Sequence, residues 1–338
     1  MKRTTNHSRA LIISYGVSAC IFFYLCFDLD WELFLVEIGK SNFYYIPLFF
    51  IMSFALAWIR TLRWSLLLPR ELAISMKELF FINAIGSMSI LLLPLRAGEF
   101  VRPWMLSSAR KIKFPQAFGG IVIERVCDVL ALLGMLGISM MSIEKAPALV
   151  DVGAKALGML AGVILLLMFV AYFKANFALG IIEKIIYLVV GKRSPQLAAK
   201  LHSFIEEFFI GLKAISSGGE LALVVFFSLL LWVFIACYYQ LGLLAFGADA
   251  SWIVANTVSV MIALAIAAPS APGFLGTFQF GCIVALSVVH GYSREFGLSY
   301  SIVMHAYQVA AIIAIGLYCL HKKHLHLSDI ASVKDRAL

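Results

Sequence analysis

The apolar run at 117–141 carries three charged residues in its interior, Glu124, Arg125 and Asp128. An ionised group at the centre of a membrane helix costs about 2.5–3.5 kcal/mol on insertion scales, so this run costs on the order of 7–10 kcal/mol before any pairing. Such groups persist only where they pair, face water or perform a task. The rest of the chain points to the same setting: 62% of its residues are hydrophobic and 14% charged, against roughly 25% charged in soluble domains. Mean hydropathy is +0.95. The apolar runs are too long and too numerous for soluble domains, which predicts an all-α polytopic membrane bundle.

The net charge of +8 would suggest nucleic acid in a soluble chain. Here the basic residues flank apolar runs, where they read as topology signal and lipid-headgroup contacts, with no nucleic-acid partner expected. The six cysteines lie in or beside apolar runs without a CxxC spacing, as small buried apolar residues do. No P-loop, GxSxG, HExxH or dinucleotide fingerprint is present, and neither a cofactor nor a metal is expected. The terminal His321, His324 and His326 read as part of a juxtamembrane basic tail.

Taken in order, a basic N-terminus precedes a first span at 10–27, and an acidic loop leads to a second span at 43–59. That span is followed by Arg60, Arg63 and Arg70, ordinary positive-inside residues on the cytoplasmic side. The next run, 79–95, has basic residues on both flanks, which conflicts with a full crossing. A re-entrant hairpin broken at Pro94 and Gly98 removes the conflict, because irregular backbone at that depth is tolerated where protein or a wet cavity surrounds it. The charged run at 117–141 crosses outward and 152–173 returns. A cytoplasmic insert at 174–217 contains a helical apolar stripe (Leu197, Leu201, Phe204, Phe208, Leu212) suited to lying on the membrane or capping the bundle. A span at 221–246, a second hairpin at 252–290 broken around Pro269 and Gly273, and a last span at 300–320 complete the chain. Both termini are then cytoplasmic, with about six full spans and two Pro/Gly-broken hairpins in a single transmembrane domain, 1–338.

The halves 10–141 and 152–320 each read span, span, broken hairpin, span, and begin on opposite sides. Both hairpins carry a Pro and, four residues on, a Gly, and each has an Asn in its first arm, Asn83 and Asn256. Broken apolar segments at matching places in inverted halves mark the central site of a transporter.

Three patterns occur in order: R-x-G-E-x-x-R from Arg96 to Arg102, E-R-x-x-D from Glu124 to Asp128, and P-G-x-x-G from Pro272 to Gly276. Together they resemble the lysylphosphatidylglycerol synthase transmembrane (flippase-like) family over nearly the whole chain. The resemblance implies translocation or handling of a polar, anionic or phosphate-linked lipid in the cytoplasmic membrane of a bacterium or archaeon. Two departures stand out. Gln279 occupies a place where the family often has Glu, and the soluble aminoacyltransferase domain of the synthases is absent, so aminoacyl-lipid synthesis is not expected.

The candidate substrate-binding residues are Arg96, Glu99, Arg102, Gly273, Gly276 and Gln279. Planar guanidinium groups at 96 and 102 suit a bidentate phosphate clamp, with an anionic lipid headgroup as partner. Glu124, Arg125 and Asp128 form a candidate intramembrane charge network, with Asp128 four residues from Glu124 and three from Arg125. That network either braces the hairpin or lines the path. His305 reads as a packing residue of the last span. An alternative function is a membrane-embedded enzyme or accessory subunit of glycolipid or polyprenyl-phosphate metabolism, with Glu99, Glu124 and Asp128 as acid/base groups or Mg²⁺ ligands. A homo-oligomer is compatible with either function.

Overall fold

The computed structural model describes residues 16–329 except 17, 22, 28, 70–71, 110–111, 142–151, 154, 157, 160, 164–165, 167–173, 192–193, 214, 216, 269 and 328. Every regular element among these residues is helical. In chain order they are α1 (Trp31–Gly39), α2 (Ile46–Ser65), α3 (Met76–Leu92), α4 (Val101–Ala109), α5 (Phe114–Met141), α6 (Ala175–Ile186), α7 (Pro195–Leu212), α8 (Gly218–Ala245), α9 (Trp252–Ala267), α10 (Thr277–Ile283) and α11 (Arg294–Lys322). Several begin where the sequence supplies a cap. Asp30, Ser75, Ser217 and Ser293 each accept a backbone N–H from the first turn of α1, α3, α8 and α11, satisfying donors that a helix start leaves free.

Among the described residues, four stretches are long and apolar enough to cross a membrane: Phe43–Ser65, Gly218–Ala245, Pro272–Val289 and Arg294–Lys322. The 28-residue α5 spans about 42 Å at 1.5 Å per residue, but carries the charged triplet. Of the expected first span at 10–27, residues 10–15, 17 and 22 lie outside the described residues and those described between 16 and 26 are helical, while just over half of 152–173 lies outside them. One boundary differs in a way that matters. Hydropathy ends the second span at 59, whereas α2 continues to Ser65 and carries Arg60 and Arg63 into the bundle.

Both hairpins form, and for the same reason. Leu93, before Pro94, is extended at φ −90°, ψ 137°, and Ala268, before Pro269, is extended at φ −66°, ψ 150°; a following proline disfavours the helical region. The first chain then passes through a 3₁₀ segment, Pro94–Phe100, and returns as α4. That segment lies directly on α3: a Cβ at Gly98 would sit 2.2 Å from the Ile90 nitrogen. The second chain turns at Pro272–Phe274 and returns as α10 and a π-helical stretch, Val284–Val289. Its arms are equally close, a Cβ at Gly281 falling 2.7 Å from the Ile262 Cα. With 17 and 16 residues, α3 and α9 measure about 24–26 Å, short of a roughly 30 Å hydrocarbon core.

The packing repeats between halves. As α2 packs on α3, α8 packs on α9; as α4 packs on α5, α10 packs on α11. Across the halves, α3 and α2 pack on α11, while α9 and α8 pack on α5; α2 and α8 meet each other. The tip Pro272–Phe274 of the second hairpin rests against α3 and against the Pro94–Phe100 turn of the first. The two larger hydrophobic clusters among the described residues lie around Phe49, Tyr239, Phe278 and Tyr300 and around Trp64, Met88, Leu106 and Ile123, and a smaller third joins Leu25, Phe34 and Leu298.

Within the insert, α7 docks on α5. The contact is backbone to backbone: a Cβ at Gly211 would lie 2.1 Å from the Gln116 carbonyl oxygen, and Lys113 pairs with Glu207. Of the expected apolar stripe, Leu212 is buried, while Leu197 and Phe204 remain exposed.

Candidate functional site

Where the hairpin tips approach, a cavity of about 260 Å³ opens between the two hydrophobic clusters, lined by α2, α3, α5, α8, α9, α11 and both returning arms. Its charged wall is a chain of alternating signs. Arg102, on α4, donates from Nη1 to Glu124 Oε2 at 2.8 Å. Glu124 Oε1 lies 3.5 Å from Arg63 Nε. Arg63 grips Asp128 with both terminal nitrogens, at 2.5 and 3.3 Å, and donates from Nη1 to Ser228 Oγ at 3.2 Å. Asp128 in turn lies 3.6 Å from Arg125 Nη1, and Arg125 Nε lies 4.0 Å from Glu99.

Local packing holds this chain in place. The Arg102 guanidinium stacks on the Trp64 ring, 4.3 Å from its centroid, a cation–π contact strengthened by desolvation. Its aliphatic stem crosses α3 at Gly86, where a Cβ would meet Arg102 Cγ at 2.3 Å. Only glycine there leaves the arginine room to reach Glu124. Arg63 and Glu124 are 3% and 1% exposed, so neither charge would be tolerable alone. Arg60, one turn before Arg63 on α2, also lines the cavity, with no carboxylate within ion-pair distance among the described residues. Among the described residues, four arginines therefore face three carboxylates on the cavity wall, an excess of one positive charge.

The opposite wall is neutral. Phe278 stacks on His305, rings 4.3 Å apart and 9° from parallel. Gln279 Oε1 accepts the Gly276 N–H at 2.8 Å, which fixes the orientation of that side-chain amide. Its Nε2 is then the donor to His305 Nδ1, 3.1 Å away. A neutral His305 consequently carries its proton on Nε2. That N–H faces the Gly273 backbone at the second tip; the residue is 6% exposed and lines the cavity.

Several expectations change here. Arg63, read as an ordinary topology residue, is the hub of the charge chain; the fork to Asp128 joins residues 65 positions apart, which no local spacing displays. Asp128 engages Arg63 first and Arg125 only at longer range. Glu99 and Arg102 line the cavity, whereas the side chain of Arg96 lies outside the described residues. Gly273, Gly276 and Gln279 do not line it: they shape the second tip. Gly273 and Gly276 adopt φ +74° and +85°, a region glycine enters without penalty, and Gln279 is spent on the two hydrogen bonds just described. The two asparagines act as braces. Asn83 Nδ2 donates to Ala57 O and Thr61 Oγ1 on α2, and Asn256 Nδ2 donates to Met135 O and Ser139 Oγ on α5. Phe274 and Trp232 were not marked by the sequence as site residues, since each reads alone as core, and Arg60, near enough in sequence to join a phosphate clamp, reads more simply as a topology residue.

The profile described as Lysylphosphatidylglycerol synthase TM region matches residues 11–316. The chain belongs to this family. It is also similar to the glycosyltransferase AglD of Haloferax volcanii, 25% identical over 317 residues, covering 84% of this chain and 50% of that protein. The chain thus spans about half the length of the curated relative it matches. No solved structure matches it significantly.

Proposed function

We propose that this membrane protein binds a lipid by an anionic, phosphate-type headgroup in the cavity between the hairpin tips and moves that headgroup across the membrane, the acyl chains remaining in lipid. The single observation that carries the reading is the excess charge. Among the described residues the cavity wall carries one more arginine than carboxylates, Arg60 having Asp128 only as a longer-range counter-charge, and an excess cation in such a wall attracts an anion. Arg102, stacked and held by Glu124, adds a planar donor fork matched to phosphate oxygens. Broken hairpins meeting at the centre of two similarly packed halves suit alternating access around such a site. In this reading the protein sits in the cytoplasmic membrane of a bacterium or archaeon, with both termini cytoplasmic and membrane lipids as its partners.

Reconstituted in liposomes with a labelled anionic lipid, the protein should speed transfer between leaflets, and Arg102→Lys should slow that transfer while leaving insertion unchanged. Wild-type protein that moves no anionic lipid faster than empty liposomes, across several headgroups and with an imposed ion gradient, would refute the reading. A second reading, an accessory role in glycolipid synthesis, draws on the similarity to a protein named as a glycosyltransferase. The carboxylates themselves lend it little, because Glu124 and Asp128 are held by arginines and a metal would have to displace them. Conversion of a lipid headgroup by the purified chain, read by mass spectrometry, would favour this second role.

A further inference from the structure

Away from the cavity, the hairpin of α6 and α7 carries apolar surface that the bundle does not cover. Phe177, Ile181, Ile185 and Leu188 follow one another at steps of four, four and three, one stripe of a helix, and are 64%, 43%, 54% and 71% exposed. Ile182 and Ile186, further round α6, are half-buried, and α6 packs on α7. Element α6 has 12 residues, about 18 Å. Even with the π-helical Tyr187–Gly191 after it, it is too short to cross a hydrocarbon core of roughly 30 Å. On α7, Leu197, Leu201 and Phe204 form a second exposed stripe. One turn on, that stripe reaches Phe208, whose ring lies 6.3 Å from Phe118 of α5. The exposed surface is thus continuous with a face already docked on the bundle.

The charges of the hairpin divide unevenly. Its carboxylates are spent on protein partners: Glu183 of α6 pairs with His202 Nε2 of α7, Glu206 lies 3.4 Å from His202 Nδ1, and Glu207 pairs with Lys113. Lys174, Lys184 and Lys200 are exposed, with no carboxylate within ion-pair distance among the described residues. Lys174 stands one turn before Phe177, and Lys184 lies between Ile181 and Leu188, so both border the apolar stripe. The sequence adds Lys192 and Arg193. Glu183 and His202 lie at least about 100° around their helices from the two stripes, so the polar contact and the apolar surface occupy different sides of the hairpin.

We infer that this hairpin is a membrane-docking surface: the stripe from Phe177 to Leu188 sinks into the headgroup layer of the leaflet where α5 begins, and Lys174, Lys184 and Lys200 meet anionic phospholipids there. An apolar stripe edged by lysines is the pattern of helices that lie in that layer. Long lysine stems keep the ammonium groups among the headgroups while the stripe is covered. A second copy of the chain would bring like charges against these lysines, whereas an anionic leaflet neutralises them. The surface is separate from the cavity, which no residue of α6 or α7 lines, and it stands whatever the cavity carries. Docking also fixes the start of α5, since Gly211 of α7 lies backbone to backbone on Gln116.

The full chain in nanodiscs of phosphatidylcholine, with or without phosphatidylglycerol, would test the inference by two readouts. A photo-crosslinking benzoylphenylalanine at Ile181 should gain the mass of a phospholipid on irradiation, while one at Ser203, on the polar side of α7, should not. Amide exchange across α6 should be at least about fivefold slower with phosphatidylglycerol present, the worth of one lysine at an anionic surface. Lys174→Gln combined with Lys184→Gln should abolish that difference. Ile181→Ser combined with Ile185→Ser should speed exchange across α6 in both membranes, and unchanged exchange in α8 and α11 shows that each variant is folded. Crosslinks from Ile181 to a second copy of the chain would make the stripe a dimer contact and overturn the inference. Equal exchange across α6 in the two membranes, or a lipid adduct as strong at Ser203 as at Ile181, would overturn it as well.

Discussion

The hub role of Arg63 makes a quantitative prediction that separates it from its neighbour. Arg63 and Asp128 form a two-pronged contact at 2.5 and 3.3 Å with side-chain exposures of 4% and 14%. Arg125 approaches the same carboxylate at 3.6 Å from a side chain that is 48% exposed. A desolvated, bidentate pair in a shared network supports a coupling of about 2–3 kcal/mol, whereas a half-exposed pair at longer range supports less than about 1 kcal/mol. Two double-mutant cycles, Arg63→Met with Asp128→Leu and Arg125→Met with Asp128→Leu, would measure the two couplings by reversible unfolding in mixed micelles. The single change Arg63→Met should be the most damaging, because it leaves both Glu124 and Asp128 short of a partner; losing one member of a buried pair costs about 3–5 kcal/mol. The double change at 63 and 128 should recover much of that loss. Equal couplings in the two cycles, or a larger one through Arg125, would refute the assignment of Arg63 as hub.

Three further outcomes follow from the geometry. Gly86→Ala should unseat Arg102, since its Cβ would fall 2.3 Å from Arg102 Cγ, and weaken anionic-lipid binding as Arg102→Lys does, despite the helix-favouring substitution; unchanged binding would mean that Arg102 is dispensable. Gly281→Val should lower folded yield far more than Gly273→Ala, for the first drives atoms into the Ile262 backbone, while the second has open space and bears only a positive-φ cost of about 1–2 kcal/mol. Cysteines at Lys77, at the start of α3, and at Ser108, at the end of α4, should be labelled from the same side of intact membranes; labelling from opposite sides would show that the first hairpin crosses.

Proline chemistry made the hairpins legible, because a residue before proline leaves the helical region wherever it occurs, and Leu93 and Ala268 both do so. The charged triplet was legible as costly, and its members do line one cavity. Its true partners were not. Hydropathy stops a span at the first cation, so Arg60 and Arg63 fell outside the second span, although arginine is a good helix former and α2 runs through both. The neutral wall was illegible for a different reason. His305 in an apolar helix looks like packing, and its ring does stack on Phe278. Only the Gly276–Gln279–His305 relay reveals which nitrogen holds the proton and that the ring is tied to the second tip.

The two halves are alike in packing and unlike in chemistry, and that difference gives the cavity its polarity. Element α2 brings Arg60 and Arg63, while its counterpart α8 brings Ser228 and Trp232; α5 brings Glu124, Arg125 and Asp128, while its counterpart α11 brings His305 and Gln308. Under the proposed function, such a site would hold a headgroup in one orientation, phosphate toward α2 and α5. Arg60 tests this most cleanly, because it belongs to the cavity without belonging to the ion-pair chain. Arg60→Gln removes the excess positive charge and leaves every pair from Arg102 to Glu99 in place, so folded yield should hold or rise as a buried cation without an ion-pair contact is lost from the bundle. Binding of phosphatidic acid should fall by about tenfold or more, the worth of one hydrogen bond to a charged group at about 1.5–3 kcal/mol. Lipid titration of the purified variant, beside its unfolding midpoint, reads both quantities. A variant that folds poorly but, where folded, still binds anionic lipid at full strength would make Arg60 a structural residue and return the phosphate to Arg102 alone.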